Sequence, residues 1–370
     1  MIYAGLPAPM PAHKPLQMPE QTLLESSSWT QTSTHLYGFE IGGVRVQLSG
    51  ARDSKVVFGQ SLEPFRADTE AFDINIELDW VSRLSPPEKA KAFDSDTTWC
   101  LYDSSGEFQF DLRSGPGVQP HKRLLINRKF SRGSLLMSEE FFAGACYQPD
   151  PFGYPLDELL IMHRLTQEKA IELHGTGIVR ANGDANLFVG HSGAGKSTTT
   201  RLWTDVEDVE VLSDDRIIVR RDEDAAVVRT PCEAGDSAGD LGVLRLRDRS
   251  ASPNDHSAQD DKHKHPSGKK YAMRMYGTPW HGEAMFASPN SAPLSRIFVL
   301  EHGHGNVITP LPPSQAVAEL FARSFVPFHR HEYVDSALVF LEELANSVPV
   351  YRYSFEPDQR AVDKIRQFRD

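Results

Sequence analysis

Residues 190–197 read Gly190-His191-Ser192-Gly193-Ala194-Gly195-Lys196-Ser197 and match the pattern G-x-x-x-x-G-K-[ST]. The match lies between an apolar run ending at Val189 and a segment, 197–203, that can begin a helix. In such a loop the backbone N–H groups turn toward phosphates, the lysine reaches the β- and γ-phosphates, and the next hydroxyl ligates Mg²⁺. The stretch predicts an ATP site that extends to Thr198, with Ser197 as a Mg²⁺ ligand. The alternative is a glycine-rich turn between a strand and a helix.

A pair of acidic residues follows this loop, in Leu212-Ser213-Asp214-Asp215. Phosphoryl transfer needs metal ligands and a group that positions or deprotonates the acceptor. An apolar strand that ends in two acids delivers carboxylates to the carboxyl edge of a sheet, where open α/β sheets bind ligands. Because neighbouring strand residues point to opposite faces, we expect one aspartate to face Mg²⁺ and the phosphates and the other to reach the acceptor. Which of the two is the base stays open.

A third cluster, residues 276–283, carries Trp280, His281 and Glu283 between glycines. This composition predicts a tight loop that presents a ring, an imidazole and a carboxylate. Glu283 is a candidate metal ligand with Ser197 and Asp215, and His281 is a candidate contact for phosphate charge. For Trp280, a packed structural ring and a functional role are equally compatible with the sequence.

The bulk composition excludes several classes of protein. The 370 residues include 51 acidic and 39 basic ones, a net charge of −12 that argues against a nucleic-acid partner. No apolar stretch approaches the ~18 residues of a membrane span, and the N-terminus lacks a signal-peptide pattern, so we expect no membrane partner and a cytoplasmic location. Cys100, Cys146 and Cys232 lack the spacing of a disulfide framework or a zinc site.

Composition along the chain predicts two domains and an arm. Residues 1–34 are rich in proline and serine and predict a flexible arm. Residues 35–153 show short alternating runs separated by turn residues, which predict a mostly antiparallel β domain with polar outer faces. A helix is expected from Leu156, with Pro155 in its first turn, and it opens a third segment, 154–370.

The pattern of residues 154–370 predicts an α/β domain, α+β overall. Strand, loop, helix and strand follow one another from residue 170 to residue 215. Residues 217–219 and 226–228 suggest a hairpin, 247–270 a flexible loop, and 297–300 a buried strand. Helices are expected over 314–323 and 334–344, where apolar residues recur at helical spacing.

Three motifs in order make a family resemblance visible. They are the strand that contains His174-Gly175, the phosphate loop at 190–197, and the strand that ends in Asp214-Asp215. This order resembles the catalytic domain of the HPr kinase/phosphorylase-like serine kinases over roughly residues 155–350. The resemblance implies a P-loop fold like that of phosphoenolpyruvate carboxykinase, an α/β domain around a mixed sheet, and it suggests a homo-oligomer. The N-terminal β region does not resemble that of HPr kinase.

The resemblance also implies roles for individual residues. Lys196 and Ser197 would bind phosphates and Mg²⁺, and His174 would lie near the transferred phosphate. One of Asp214 and Asp215 would accept the seryl proton, and the other would assist metal binding. The residues around Glu283 depart from the Glu-x-x-Gly pattern of the family's metal-binding glutamate. The expected activity is ATP- and Mg²⁺-dependent transfer of the γ-phosphoryl group to a hydroxyl, such as a serine of a protein, a peptide or a small molecule.

Other functions remain as alternatives. An ABC-type ATPase would need a Leu-Ser-Gly-Gly-Gln-like signature and an Asp-Glu strand, and the sequence has neither. A phosphoenolpyruvate carboxykinase would need further metal-binding lysine and histidine residues and an oxaloacetate site, and we find no motif for them. An ATP-binding regulatory protein without transfer activity would be expected to lack the acids after the loop, whereas Asp214 and Asp215 are both present.

Overall fold

The computed structural model describes six ranges of the chain, which are 34–51, 56–87, 90–104, 106–145, 148–222 and 271–369. Within these ranges the chain forms two mixed β-sheets and six α-helices, so the architecture is α+β. Several sequence predictions lie outside the described residues. They are the arm up to residue 33, the loop at 247–270, the second hairpin strand at 226–228, Cys146 and Cys232. Cys100 is buried and unpaired.

The first sheet, here the N-terminal sheet, contains strands β1 to β8 in the order β1-β2-β3-β8-β7-β6-β5-β4. Their bounds are β1 Thr34–Ile41, β2 Val44–Gly50, β3 Ile74–Val81, β4 Lys91–Asp94, β5 Trp99–Asp103, β6 Glu107–Leu112, β7 Lys122–Asn127 and β8 Arg132–Ser138. Strand β3 runs parallel to both β2 and β8, and the other ladders are antiparallel. The sheet is therefore mostly antiparallel, as its alternating pattern predicts.

The expectation of polar outer faces is wrong for strand β6. All of its side chains are buried, including those of Glu107, Gln109 and Asp111. Asp111 is paired there with Arg123, whose Nε and Nη2 donate to it at 2.6 and 2.8 Å. The alternating polar residues of β6 are thus buried, with Asp111 in an ion pair. In sequence, a buried polar face and a solvated polar face show the same alternation.

Two short helices follow the N-terminal sheet. Helix α1 spans Glu139–Phe142, and α2 spans Leu156–Leu165 directly after Pro155, close to the predicted start. The apolar side of α2 packs into the same core as the strands of the N-terminal sheet, and this core also takes in Ile218 and Trp280. Helix α2, placed by sequence in the C-terminal segment, therefore joins the two parts of the chain.

The second sheet, here the C-terminal sheet, has the order β14-β13-β12-β9-β10-β15-β18-β16, with β11 and β17 also paired to β9. Its strands are β9 Ala170–Arg180, β10 Ala185–Val189, β11 Val209–Ser213, β12 Arg216–Arg221, β13 Met273–Tyr276, β14 Ser291–Pro293, β15 Arg296–His302, β16 Val307–Pro310, β17 Ser324–Phe325 and β18 Val350–Phe355. Strands β10, β15 and β18 are parallel, and the other ladders are antiparallel. The predicted buried strand at 297–300 is confirmed within β15.

Helices cover both faces of the C-terminal sheet. Helices α4 (Pro313–Phe321) and α5 (His331–Ser347) pack on one face around Leu320 and Phe340. Helices α3 (Lys196–Thr204) and α6 (Gln359–Gln367) pack on the other face around Trp203. The helices predicted over 314–323 and 334–344 are thus confirmed, with slightly different ends. No helix in the described ranges is long and apolar enough to cross a membrane.

The central strand β9 organises the candidate site. One edge of β9 pairs with β10 and then β17, and the other edge pairs with β11 and then β12. The chain leaves the first edge at Gly190, next to His174, and it breaks from the second edge at Asp214-Asp215. Both interruptions lie at the level of His174-Gly175. Because β9 lies between them and neighbouring strands are about 4.8 Å apart, the two interruptions are about 10 Å from each other. The fold therefore brings two separate sequence motifs to one point of the sheet.

Candidate active site

The loop from Gly190 to Gly195 connects β10 to α3 in a conformation that requires glycine. Gly193 and Gly195 have φ angles of 79° and 100°, in the left-handed region that other residues avoid. A Cβ atom on Gly195 would also come within 2.5 Å of the Phe355 ring. Helix α3 begins directly after, at Lys196, so its N-terminal N–H groups point into the loop. This geometry fits an anion such as a phosphate group.

Lys196 is folded back over the loop. Its Nζ donates to the carbonyl oxygens of Gly190 and His191 at 3.1 and 3.2 Å, and the residue is 7% exposed. Burial lowers the pKa of Lys196, and the carboxylate of Asp215 opposes this effect. An ammonium group held by two carbonyl oxygens can turn toward an anion that enters the loop. Ser197 and Thr198 lie half-buried in the first turn of α3, and Ser192 is exposed.

His174 connects the phosphate loop to the acidic pair. Its backbone carbonyl accepts a hydrogen bond from the N–H of Gly190 at 3.2 Å. Its Nε2 lies 3.0 Å from Oδ1 of Asp215, and the N–H of Gly175 donates to the Asp215 carbonyl at 2.9 Å. One residue therefore fixes both the start of the loop and the orientation of a carboxylate.

The two aspartates have different environments. Asp214 is 1% exposed, and its carboxylate accepts hydrogen bonds from the backbone N–H groups of Gly282, Ala284 and Phe286 at 3.0, 2.8 and 3.2 Å. Asp215 is half-buried, with Oδ1 on His174 and Oδ2 3.3 Å from Nε of Arg216. Asp214 thus anchors a loop, and Asp215 is the acid of the pair that remains accessible beside the phosphate loop.

Arg216 holds Asp215 from the side opposite to His174. Its guanidinium also contacts Glu158 of α2 and lies 3.1 Å from Oε1 of Glu172. Burial raises the pKa of Glu172 well above its usual value, and the nearby Asp157 and Asp215 add to this. Glu158, Glu172 and Asp215 therefore all contact one guanidinium. This arrangement restricts the Asp215 side chain to one direction.

The structure separates the candidates of the 276–283 cluster. Trp280 is buried, and its Nε1 donates to Oδ2 of Asp157 at 2.8 Å. His281 is exposed, and its Nδ1 lies 3.2 Å from the Gly282 carbonyl. The Glu283 side chain is 85% exposed, and its carboxylate lies 3.7 Å from Nη2 of Arg201. Among the described residues, no three His, Cys, Asp or Glu side chains are grouped closely enough to hold a metal ion.

A cavity of about 310 Å³ lies next to Asp215, between the two parts of the chain. One wall comes from the segments around residues 61–62 and 150–157, and the other from 215–216 and 279–281. Asp157, at the start of α2, is part of the first wall and is 4% exposed. Burial raises the pKa of Asp157 to about 7, with the Trp280 hydrogen bond acting in the opposite direction. Sequence analysis gave no sign of this cavity, because its segments are far apart in the chain.

Two further residues lie beside the phosphate loop and were missed by the sequence analysis. Nε2 of His302 lies 2.6 Å from the Gly193 carbonyl. The carbonyl of Arg323 accepts from the N–H of His174 at 2.7 Å, and the Arg323 charge lowers the pKa of His191. Neither residue belongs to a motif, since each comes from a segment far from the loop in sequence, His302 from the end of β15 and Arg323 from the segment between α4 and β17.

Comparison with known proteins adds no family assignment. No protein-family model matches the chain, and no curated protein sequence matches it significantly. The functional argument therefore depends on the geometry of the residues described above.

Proposed function

We propose that this protein is an ATP- and Mg²⁺-dependent kinase that transfers the γ-phosphoryl group to an alcohol, of the kind found in serine. The observation that carries the proposal is the position of His174, which binds Gly190 through its backbone and Asp215 through its ring. A triphosphate cradle and an accessible carboxylate are thereby kept on either side of one strand. This is the pairing of parts that phosphoryl transfer requires.

In the proposed reaction the residues of the loop bind and orient the triphosphate. The backbone N–H groups around Gly193 and Gly195, the N-terminus of α3 and the Lys196 ammonium would stabilise negative charge on the phosphates. The Ser197 hydroxyl is the group of the loop that would hold Mg²⁺, which supplies further neutralisation of phosphate charge when bound. The exposed Glu283, paired with Arg201, is a weaker candidate ligand.

Asp215 is the group that we assign as the base. It would accept the proton of the acceptor hydroxyl as the oxygen attacks the γ-phosphorus and the bond to the ADP oxygen breaks. His174 and Arg216 would hold its carboxylate in position, and both are in contact with it already. Asp214 would act indirectly, because its oxygens are occupied by the backbone of the loop at 282–286.

The motif order also supports the more specific assignment. A His-Gly strand, a phosphate loop and an Asp-Asp break resemble the HPr kinase/phosphorylase-like serine kinases, whose P-loop fold resembles that of phosphoenolpyruvate carboxykinase. In this chain the three motifs meet on β9 and its neighbours. We therefore include a kinase domain of that type, formed by the C-terminal sheet and its helices, in the proposal.

The direct test is transfer of label from γ-labelled ATP, with Mg²⁺, to a cell lysate and to a panel of small alcohols, with products identified by mass. We expect a phosphorylated product with the wild-type protein, and none with Asp215→Asn although that variant still binds ATP. Asp205→Asn, at the exposed end of α3, is a matched control that should retain transfer. Binding of ATP without transfer to any acceptor would instead favour a regulatory protein, and full transfer by Asp215→Asn would overturn the assigned base.

A further inference from the structure

The cavity beside Asp215 has acidic walls. Asp150 and Asp157 line it together with Asp215. Arg216 also lines it, but its guanidinium is already in contact with Glu158, Glu172 and Asp215. The buried Lys122 offsets part of the charge of Asp150 and Asp157, but the acids around the cavity still outnumber the two basic side chains, Lys122 and Arg216. A ligand that carries positive charge would complement this wall.

Asp157 supplies a second, independent observation. Its Oδ2 accepts the Trp280 Nε1–H, but its Oδ1 is buried and has no hydrogen-bond partner. A buried carboxylate oxygen without a donor is costly, so native structures rarely retain one without a reason. Because Asp157 is part of the cavity wall, a bound ligand with N–H donors can supply the missing hydrogen bond.

Aromatic side chains complete the wall. Phe152, Tyr154 and Trp280 line the cavity, and Tyr154 is 67% exposed although it is large and partly apolar. Aromatic faces next to carboxylates form a suitable environment for an ammonium group, which is attracted to the ring faces as well as to the acids. The volume of about 310 Å³ is at the lower end of the range for small-molecule sites, so it suits a compact ligand.

We propose that this cavity binds the phosphoryl acceptor, and that the acceptor is a small amino alcohol, with its ammonium group on the Asp157 wall and its hydroxyl directed to Asp215. This inference rests on the proposed kinase function. The hydroxyl O–H bond breaks as its proton passes to the Asp215 carboxylate. The freed oxygen forms a bond to the γ-phosphorus of ATP, and ADP leaves with the electron pair of the broken P–O bond.

The test compares matched alcohols that differ in the ammonium group. Wild-type protein with ATP and Mg²⁺ is assayed with ethanolamine and serine, and with their N-acetyl derivatives, which keep the hydroxyl but lose the positive charge. We expect kcat/KM to be at least about tenfold higher for an amine than for its N-acetyl derivative. A larger acceptor, an N-acetylated serine peptide, should be a poor substrate as well.

Variants assign the effect to the cavity. Asp157→Asn keeps an acceptor for the Trp280 N–H, and we expect it to raise the KM for the amine about tenfold while kcat changes little. Tyr154→Ala should raise the same KM by a smaller factor, and its melting temperature is measured alongside because the Tyr154 side chain also contacts Arg216. The exposed Asp68→Asn is a matched control and should leave KM unchanged.

The outcomes distinguish this inference from the proposed function. Transfer to N-acetyl derivatives as fast as to amines, or an unchanged KM in both Asp157→Asn and Tyr154→Ala, would overturn the amino-alcohol assignment and leave the kinase proposal standing. Transfer to protein or peptide serine alone would do the same. Failure to transfer phosphate to any acceptor would instead count against the kinase proposal itself.

Discussion

The phosphate loop and the cavity beside Asp215 are the two halves of the candidate site, and they are built in opposite ways. The loop is one continuous segment between β10 and α3, and its glycines, lysine and serine are adjacent in sequence. The cavity takes its walls from four separate segments, which only the packing of α2 and the two sheets brings together. A loop motif can bind the phosphate groups that all nucleoside triphosphates share. A cavity built from separate segments can instead determine which acceptor is phosphorylated.

The two halves meet at Asp215. This residue lies at the break between β11 and β12, beside His174 on one side and Arg216 on the other. It also lines the cavity. The comparison therefore predicts that changes in the loop abolish use of the donor, changes at Asp215 abolish transfer, and changes in the cavity alter use of the acceptor.

The largest effect is expected from Lys196→Ala in the loop. The Lys196 ammonium is the charge nearest to the loop carbonyls, so its removal should eliminate detectable ATP binding or turnover. Titration calorimetry with an ATP analogue and a transfer assay would measure both. Lys364→Ala, at an exposed site in α6, is the control. Normal ATP binding and turnover in Lys196→Ala would contradict the assignment of the loop.

The next effect separates the two aspartates. Asp215→Asn should reduce kcat by about 10²–10⁴-fold with little change in ATP affinity, because it removes a base but retains the volume of the side chain. Asp214→Asn should instead lower the melting temperature, because its amide cannot accept from the N–H groups of Gly282, Ala284 and Phe286 as a carboxylate does. Steady-state kinetics and calorimetric unfolding of both variants would show this contrast. The reverse pattern would exchange their roles.

These contrasts also show what the sequence could and could not predict. The loop, its flanking strand and helix, and the helices α4 and α5 follow from local spacing, so the sequence predicted them. The partners of Asp214 could not be predicted, because the N–H groups that bind it come from a loop far along the chain. The same reason hides Asp157, which is an ordinary acid in the first turn of a helix until Trp280 and the cavity surround it.

The sequence predicted β9 only in part. It indicated a short strand over 170–174, whereas the strand continues to Arg180 and carries partners on both edges. Gly175 and Gly177 interrupt the apolar pattern, so local propensity underestimates the length of this strand. Close packing explains both glycines, since a Cβ atom at Gly175 would lie 2.9 Å from the Phe188 carbonyl oxygen, and one at Gly177 would lie 2.8 Å from Ile217.

A smaller effect is expected on the pH dependence of stability. Burial raises the pKa of Asp157 from its usual value of 3.8 to about 7. Between these values the folded protein holds a proton that the unfolded chain has lost, so this residue lowers the free energy of unfolding as pH rises from about 4 to about 7. Asp157→Asn should remove that contribution, on the order of 2–4 kcal/mol over this interval.

The measurement is the difference between wild type and Asp157→Asn in urea unfolding free energy at several pH values from 4 to 8. Contributions from the buried His163 and the half-buried His121 and His329, whose pKa values are lowered by desolvation, act in the opposite direction and are common to both proteins. They cancel in the difference. A difference that does not change with pH would show that Asp157 is ionised in the folded protein throughout this range.

The smallest effect is expected at Glu283, which sequence analysis placed among the metal ligands. Its side chain is largely exposed and lies near Arg201 rather than in a group of acids. Glu283→Gln should therefore leave kcat and the Mg²⁺ concentration for half-maximal activity unchanged within about twofold. A Mg²⁺ titration of the transfer reaction would check this, with Ser197→Ala, which removes the hydroxyl assigned to Mg²⁺, as the contrasting variant. An increased Mg²⁺ requirement in Glu283→Gln would mean that the loop at 282–286 moves Glu283 toward the phosphates when ATP binds, and the metal would then join the two halves of the site.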